Sequence, residues 1–401
     1  MKAIIKHPKY SGIYFDNEYY KTNSEIDVPL LKALKISLTN HIEFEKPELE
    51  YNPEFWKNRD FVLWGNADNS SGFGTCTRNI AYYMDKIGYH PHWIGNGMKV
   101  AELNSFIKEV DNRMPAIYHE QPKHEWFDSV FYKKIAIVPF ETTQIPKSWV
   151  SRINYMDSLF TLSDQNIQMM KDSGVRVPIE KIIWGVESEK FPVVERNNEF
   201  FTFGQAGFLT MRKGTDILIQ AFKLAFPKKK DVRLIIKTSN SIFPFNTKED
   251  PDFHNGRIEL IMETNNDQGE MARDVYNRID CGVFPWLGEG FSLVPFEFMS
   301  TGIPVIVTDW GGISEYITDD LGWKIEHTMI SAENFSKLVY KEPCGDWANP
   351  NLDDLVDKMR YAYLHQDEVR KKGRKSAQFI RDNFTWETAM NILADKLNKY
   401  F

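Results

Sequence analysis

The most informative stretch of the sequence is CGVFPWLGEGFSLVPFEFMSTGIPVIV, residues 281–307. It begins with an apolar stretch that predicts a strand over 281–285, and it continues through a glycine-bearing turn. A helix is predicted over 294–300 and a second strand over 304–307. Glu289 lies in the turn, and Glu297 lies eight residues later, about two turns into the helix. Strands and helices that alternate in this way are typical of an α/β protein with parallel sheets.

The turn and the helix start have the features of an anion site. Backbone N–H groups at a helix N-terminus point outward, and the helix dipole there favours negative charge. Ionised carboxylates accept hydrogen bonds from hydroxyl groups. Glu289 in the loop therefore suits the hydroxyls of a sugar, and Glu297 suits a ribose. This combination indicates binding of a nucleotide diphosphate sugar.

The rest of the chain repeats the alternation of strand and helix. At 401 residues it is too long for one ordinary core, so two domains are expected. We predict two doubly wound, Rossmann-like domains that face a central cleft, with ligands at the carboxyl ends of the strands. The predicted divisions are a small α+β extension over 1–55, a first domain over 56–188, a second domain over 189–383, and a final helix over 384–401 that packs back on the first domain.

Several predicted elements are specific enough to compare with the structure. In the extension we predict strands over 2–5 and 13–20 and a small helix over 28–36. Further strands are predicted over 61–64, 92–94, 135–138, 158–161, 200–203, 233–237 and 258–261. Helices are predicted over 75–87, after a glycine-rich loop that runs through Gly74, and over 215–226, 271–279, 352–365 and 386–400.

The composition of the chain argues against several classes of protein function. The formal charge of −7 argues against a protein that binds nucleic acid through a basic surface. Three cysteines without CxxC spacing predict reduced thiols, and nine histidines without HxxxH spacing predict no metal site. No apolar run reaches the roughly 18 residues of a membrane span, and the first residues lack the apolar region of a signal peptide. We therefore expect a cytoplasmic protein.

These motifs together resemble a known family. Glu289-x7-Glu297, continued by FMSTGIPVI at 298–306, is similar to the signature of family 4 retaining glycosyltransferases, whose fold is GT-B. The loop GFLTMRKG at 207–214, the loop SGFG at 71–74 and the FTW sequence at 384–386 extend the resemblance over most of the chain beyond residue 55. A carboxylate pair with a Lys-Gly segment in this order is far more specific than one glycine loop.

The resemblance implies a role for each matching residue. Glu289 holds hydroxyls of the transferred sugar and can stabilise positive charge at its anomeric carbon, Glu297 binds the ribose, and Lys213 neutralises the leaving diphosphate. The family needs no metal, so we expect no cofactor. The nucleotide sugar is a co-substrate, and UDP is the expected nucleotide. The segment that contacts the diphosphate and sugar is Gly290, Phe291, Ser292, Leu293 and Val294. Two weaker candidates for the donor site are Gly74, through close approach of its loop, and Lys237, at the end of a strand.

Two positions depart from the family pattern. Phe208 stands where the family commonly has arginine, and Arg212, beside Lys213, is the candidate to supply the missing charge. The histidine that many relatives have near the sugar is absent, and Glu141 lies at about that position. Glu141 is therefore the candidate on the acceptor or sugar side of the cleft, where a carboxylate can take a proton from an acceptor hydroxyl if burial raises its pKa.

The sequence therefore predicts a retaining hexosyl- or pentosyltransferase acting on a glycan or small-molecule acceptor. Three alternatives stay open at this level. One is the same chemistry on modified DNA bases, as in virus-encoded enzymes. Another is a different GT-B enzyme, such as a sugar epimerase or a phosphorylase. The third is a protein that binds nucleotide sugars without catalysis. The sequence alone names neither the base, the sugar nor the acceptor.

Overall fold

Two parallel sheets form the body of the protein. The computed structural model describes residues 52–68, 71–95, 101–128, 131–196, 198–208, 210–238, 250–262 and 274–400, with the backbone of five strands between residues 2 and 44. We call the part of the chain that carries the first sheet the first half, and the part that carries the second sheet the second half. Each sheet has six strands with helices against it. The predicted α/β class with two doubly wound domains is confirmed.

The first sheet is parallel throughout and is buried on both faces. The side chains of its four central strands are almost all buried, as expected for strands that lie between layers of helix. From one edge to the other the strands are Ile179–Lys181, Ser158–Thr161, Lys133–Ile137, Pro115–His119, Asp60–Gly65 and His90–Ile94. Two strands of this sheet were not predicted, Ile179–Lys181 and Pro115–His119. In Pro115–His119 a proline and a terminal histidine hide a short buried strand from an apolar pattern.

The second sheet has the strand order of a dinucleotide-binding fold. From one edge to the other its strands are Ile258–Met262, Val232–Thr238, Phe201–Ala206, Cys281–Phe284, Val305–Thr308 and Gly322–Ile325. In chain order this is 3-2-1-4-5-6, so the order reverses between Phe201–Ala206 and Cys281–Phe284. In open α/β sheets this reversal point is where ligands bind, beyond the carboxyl ends of the two strands.

The helices predicted over 75–87, 215–226, 294–300, 352–365 and 386–400 are present and differ from the predictions at their ends. The helix predicted from Thr75 begins at Gly72, because Ser71 caps it by accepting a hydrogen bond from the Gly74 N–H at 3.0 Å. Of the helix predicted over 271–279, residues 271–273 lie outside the described residues, and the remainder contains a short 3-10 turn, Tyr276–Arg278. The α-helices are Pro53–Lys57, Gly72–Lys86, Lys147–Asn154, Asp164–Asp172, Thr215–Ala225, Pro251–His254, Leu293–Ser300, Glu333–Tyr340, Leu352–Leu364, Gln366–Asn383 and Trp386–Leu397.

The N-terminal extension is rich in β-structure. The strands are Lys2–Ile5, Gly12–Phe15, Glu18–Lys21, Glu25–Asp27 and Ile42–Phe44. The single strand predicted over 13–20 is wrong, since the chain forms two antiparallel strands in which Phe15 pairs with Glu18. Asp16 and Asn17, which separate them, are residue types that favour tight turns, and this signal was overlooked. The helix predicted over 28–36 lies outside the described residues.

The last helix, Trp386–Leu397, packs on the first half of the chain. Trp386 is buried, and its ring lies 5.6 Å from Trp184 and 6.3 Å from Tyr83. At the far end of the helix, Lys396 donates a hydrogen bond to Glu180 at 2.8 Å. The preceding helix, Gln366–Asn383, packs on the second half beside Leu293–Ser300. The C-terminal segment therefore crosses from one half to the other, and its apolar residues join a core cluster that both halves share.

Two further features concern the chemistry of the chain. The three cysteines, Cys76, Cys281 and Cys344, are all buried and free of disulfides. Within the described ranges, no helix combines the length and the apolar character that crossing a membrane would require.

We expect Trp386→Ala to lower the free energy of unfolding by roughly 3–5 kcal/mol, because it removes a buried indole and leaves a cavity. Chemical denaturation monitored by circular dichroism would measure the change. Asp395→Ala, at an exposed position of the same helix, is the matched control and should change stability by less than about 0.5 kcal/mol. Equal effects of the two substitutions would show that the helix does not pack through Trp386.

Candidate functional site

The candidate site lies where the strand order of the second sheet reverses. Strands Phe201–Ala206 and Cys281–Phe284 are hydrogen-bonded neighbours, with Gly204 opposite Gly282. The loop 207–214 leaves the first of these strands, and the loop 285–292 leaves the second. Because both loops start at the carboxyl edge of adjacent parallel strands, they emerge side by side. We call the loop 207–214 the phosphate loop, after the predicted role of Lys213, and the loop 285–292, which carries Glu289, the acidic turn. The two loops are thereby brought into contact.

Arg212 and Lys213 bind the acidic turn directly. The Arg212 guanidinium donates through Nη1 to the Gly288 carbonyl at 2.7 Å and to Glu289 Oε2 at 2.9 Å. The Lys213 ammonium also contacts Glu289 Oε2, and it lies 4.3 Å from the centre of the Trp286 ring. The backbone strengthens this pairing, since the Leu287 N–H donates to the Arg212 carbonyl at 2.9 Å. Two cations and one carboxylate therefore form a single cluster.

Burial and the neighbouring charges together set the pKa values of the side chains in this cluster. Burial alone would raise the pKa of Glu289, but the Lys213 and Arg212 charges outweigh it and hold the pKa below its ordinary value. Burial lowers the pKa of Lys213, and the attraction of Glu289 offsets this only in part, because Arg212 opposes it. For Arg212, the Glu289 and Glu141 charges overcome the effect of burial and raise the pKa. Glu289 and Arg212 are therefore ionised over the whole physiological range.

Glu141, from the first half, joins the same cluster. Its Oε1 lies 3.7 Å from Arg212 Nε and accepts a hydrogen bond from the Tyr340 hydroxyl at 2.7 Å. The two halves are in close contact here. A Cβ on Gly288 would lie 2.3 Å from the Glu141 carbonyl oxygen, and one on Gly290 would lie 2.8 Å from the Phe140 carbonyl oxygen. Any larger residue at these two positions would push the halves apart.

Glu297 is buried in the helix Leu293–Ser300 and is held differently. Its Oε2 accepts a hydrogen bond from the Tyr276 hydroxyl at 3.0 Å. Burial raises the pKa of Glu297 to about 7, the Glu187 charge adds to the rise, and the Tyr276 bond and the Lys237 charge oppose it. Lys237 is itself buried at the end of the strand Val232–Thr238, as predicted. The structure therefore places Lys237 and Glu297 in one electrostatic environment.

The start of this helix is formed by Ser292, Leu293 and Val294. Ser292 precedes the helix in an extended conformation, and its side chain does not cap it. The first N–H groups, those of Leu293 and Val294, have no partner within the helix, and the next residue is a proline without an N–H. The Phe291 side chain points into the core, where its ring stacks on Phe296 at 5.0 Å. Contacts from this segment to a ligand would therefore come from the backbone.

Gly74 lies away from the cluster, in the first turn of the helix Gly72–Lys86. A Cβ at Gly74 would lie 1.9 Å from the Asp68 carbonyl oxygen, so packing within the chain requires glycine here whether or not a ligand binds. The same helix carries Cys76, and the Glu297 charge adds to the rise that burial causes in the pKa of the Cys76 thiol. The helix therefore runs close to Glu297, while a direct role for Gly74 stays a prediction.

Three further residues bear on the site: Phe208 and the tyrosines Tyr340 and Tyr276. Phe208 is 57% exposed, so the residue that stands in place of the family's arginine does not fill the cluster. The two tyrosines were not predicted. Tyr340 donates a hydrogen bond to Glu141, and Tyr276 donates one to Glu297. No motif marks them, because each reaches its partner through the fold. Within the described residues, no group of three or more His, Cys, Asp and Glu side chains could hold a metal ion.

Comparisons with known proteins agree with this fold. Residues 200–339 match the family model of group 1 glycosyl transferases. The chain is 28% identical over 178 residues to the capsular polysaccharide biosynthesis glycosyltransferase CapM of Staphylococcus aureus, which covers 39% of this chain and 44% of CapM. It is 23% identical over 265 residues to the lipopolysaccharide core biosynthesis mannosyltransferase LpsB of Rhizobium meliloti, which covers 60% of this chain and 72% of LpsB.

A solved structure gives the same architecture over a larger part of the chain. HepE from Anabaena, in complex with UDP and glucose, superposes with a TM-score of 0.62 at 13% identity and covers 85% of this chain and 100% of HepE. The likeness establishes a GT-B fold. The chain thus has a GT-B fold, and residues 200–339 of it are similar to the group 1 glycosyl transferases. The chain spans less than half the length of CapM.

The raised pKa of Glu297 predicts a pH-dependent stability. The folded state binds this proton more tightly than the unfolded chain does. Its contribution is therefore full below pH 4.5, the ordinary value, and is lost as the pH rises to about 7. Relative to Glu297→Gln, which cannot titrate, the wild-type protein should lose roughly 3 kcal/mol of unfolding free energy over this range. Urea denaturation of both proteins between pH 4 and pH 8 measures the difference. Parallel curves would contradict the burial of an ionisable Glu297.

Proposed function

We propose that this chain is a retaining glycosyltransferase that moves a sugar from a UDP sugar to an acceptor hydroxyl. The observation that carries the proposal is the cluster of Arg212 and Lys213 on Glu289. It lies at the reversal point of a sheet within a group 1 glycosyltransferase domain. HepE, a neighbour of similar fold, was solved with UDP and glucose, which supports UDP as the nucleotide.

The cations of the cluster suit the leaving group. As the bond between the anomeric carbon and the diphosphate oxygen breaks, the electron pair leaves with the diphosphate, and the negative charge must be met by donors already in place. Glu289 holds the Arg212 and Lys213 side chains in place. The N–H groups of Leu293 and Val294, at the N-terminus of a helix, are further donors for the diphosphate. We propose that this arrangement takes the place of a metal ion.

The carboxylates suit the hydroxyl groups on either side of the diphosphate. Glu289 stays ionised because of its two cations, so it can accept hydrogen bonds from the sugar and stabilise positive charge at the anomeric carbon. Glu297 would accept hydrogen bonds from the ribose. Glu141 faces the cluster from the first half, where we place the acceptor. The acceptor oxygen forms the new bond to the anomeric carbon, and its proton passes to Glu141 or to the departing diphosphate.

Neither the relatives nor the neighbour reported above favours modified DNA as the acceptor, and the fold gives no separate reason to propose epimerisation or phosphorolysis. A protein that binds the donor without catalysis is distinguished by experiment. Thermal unfolding with a series of nucleoside diphosphates and their sugars identifies the donor, because a ligand at 100 times its Kd stabilises the folded state by about 2.7 kcal/mol. Binding without hydrolysis or transfer would favour the non-catalytic alternative.

We expect Glu289→Gln and Lys213→Met each to lower kcat by roughly 100-fold or more, because each removes a preorganised charge at the reacting centre. Lys228→Met, at an exposed position of the same half, should leave kcat unchanged. Release of UDP from the donor identified by thermal unfolding measures the rates, and circular dichroism verifies folding. Unchanged turnover in both site variants would refute the proposed function.

Retention predicts the configuration of the product. If the donor carries an α-linked sugar, the new glycosidic bond should also be α, and the coupling constant of the anomeric proton in the NMR spectrum of the product reports this directly. A β-linked product from an α-linked donor would leave glycosyl transfer intact but would show an inverting mechanism.

A further inference from the structure

An insertion in the second half reaches across to the first. Between the last strand of the second sheet and the helix Leu352–Leu364, the chain forms the strands His327–Ser331 and Asp346–Pro350, which pair in antiparallel fashion around the helix Glu333–Tyr340. We call residues 327–350 the strap. The Ala348 N–H donates to the Leu287 carbonyl at 2.7 Å, which attaches the strap to the loop that carries Glu289.

The far end of the strap is embedded in the first half. The Asp346 N–H donates to Thr143 Oγ1 at 2.8 Å, and the Thr143 N–H donates to the Asp346 carbonyl at 2.9 Å. Cys344 is fully buried in a core cluster otherwise formed by the first half. Gly345 has φ +70, and a Cβ there would lie 2.3 Å from Thr143 Oγ1, so the contact requires glycine. The strap therefore fixes the segment that begins with Glu141.

Tyr340 ends the helix of the strap and contacts Glu141 itself. Its ring lies 5.2 Å from Phe140 and 5.6 Å from Trp149, and its hydroxyl donates to Glu141 Oε1. Burial and the Glu141 charge both raise the pKa of Tyr340, so the phenol stays protonated and remains a donor. The nearest cation, Arg212, also approaches Oε1. Both contacts are on one oxygen, which leaves Oε2 as the oxygen that can meet a substrate hydroxyl.

We propose that Tyr340 is a positioning residue, which orients the Glu141 carboxylate so that Oε2 faces the reacting groups. A carboxylate on a free side chain samples several rotamers, and a single orientation must be held by contacts. A catalytic group gains much of its effect from being held in the reactive geometry, so losing one orienting hydrogen bond should slow the reaction more than it weakens donor binding. This inference rests on the proposed glycosyl transfer.

The test compares Tyr340→Phe, Glu141→Gln, the double variant and the wild-type enzyme, with the UDP sugar identified as the donor. Tyr340→Phe keeps the ring against Phe140 and Trp149 and removes only the hydroxyl. We expect kcat to fall about tenfold, the donor KM to stay within about twofold, and the double variant to be no slower than Glu141→Gln. The matched control is Tyr361→Phe, which removes an exposed tyrosine bond to Glu368 of 2.8 Å and should leave kcat unchanged.

Two results from the Tyr340→Phe and double variants would overturn the positioning role in an active enzyme. One is an unchanged kcat in Tyr340→Phe. The other is a double variant whose losses multiply, which would show that Tyr340 does not act through Glu141. A tenfold loss in Tyr361→Phe as well would assign the effect to general destabilisation and overturn it too. If the wild-type protein turns over no nucleotide sugar, the proposed function itself fails, which is a separate result.

Discussion

The site depends on the contacts of the Arg212 guanidinium. It binds the backbone carbonyl of Gly288 and the carboxylate of Glu289, and it lies within 3.7 Å of Glu141 on the other half of the chain. A buried charge is tolerated only when it is paired and hydrogen-bonded, and arginine can satisfy several acceptors at once through its planar fork of donors. The acidic turn, the phosphate loop and the first half are thus joined through one side chain.

The surrounding fold makes that pairing possible. The strand order of the second sheet reverses between the strands that precede the two loops, so both loops open at the same place. Where the two halves meet, the backbone at Phe140 and Glu141 approaches so closely that glycine is required at 288 and 290. The strap and the last helix add two crossings between the halves. Charge in the site is therefore balanced across both halves rather than within one domain.

Much of the site was predictable because its residues are local in sequence. Glu289 and Glu297 lie on one strand–turn–helix unit, so spacing and residue type suffice to nominate them. Lys213, Arg212 and Glu141 were nominated through the family resemblance, and the structure brings Glu141 to Arg212. The interpretation of 71–74 as a loop was wrong, because the side chain of Ser71 starts the helix earlier than the glycines suggest. Turn and cap chemistry is the kind of signal that an apolar pattern overlooks.

The α/β class, the positions of most buried strands and the local motifs follow from the sequence, because hydrophobic periodicity and turn residues act over a few neighbouring positions. Which distant groups meet is set by tertiary packing. Tyr340 reaches Glu141 across 199 residues, and Arg212 reaches Glu289 across 77. Tertiary packing also means that burial raises the pKa of Glu297 to about 7 while paired cations hold that of Glu289 low. The two glutamates look alike in sequence, and their protonation differs because only one of them is folded against two positive charges.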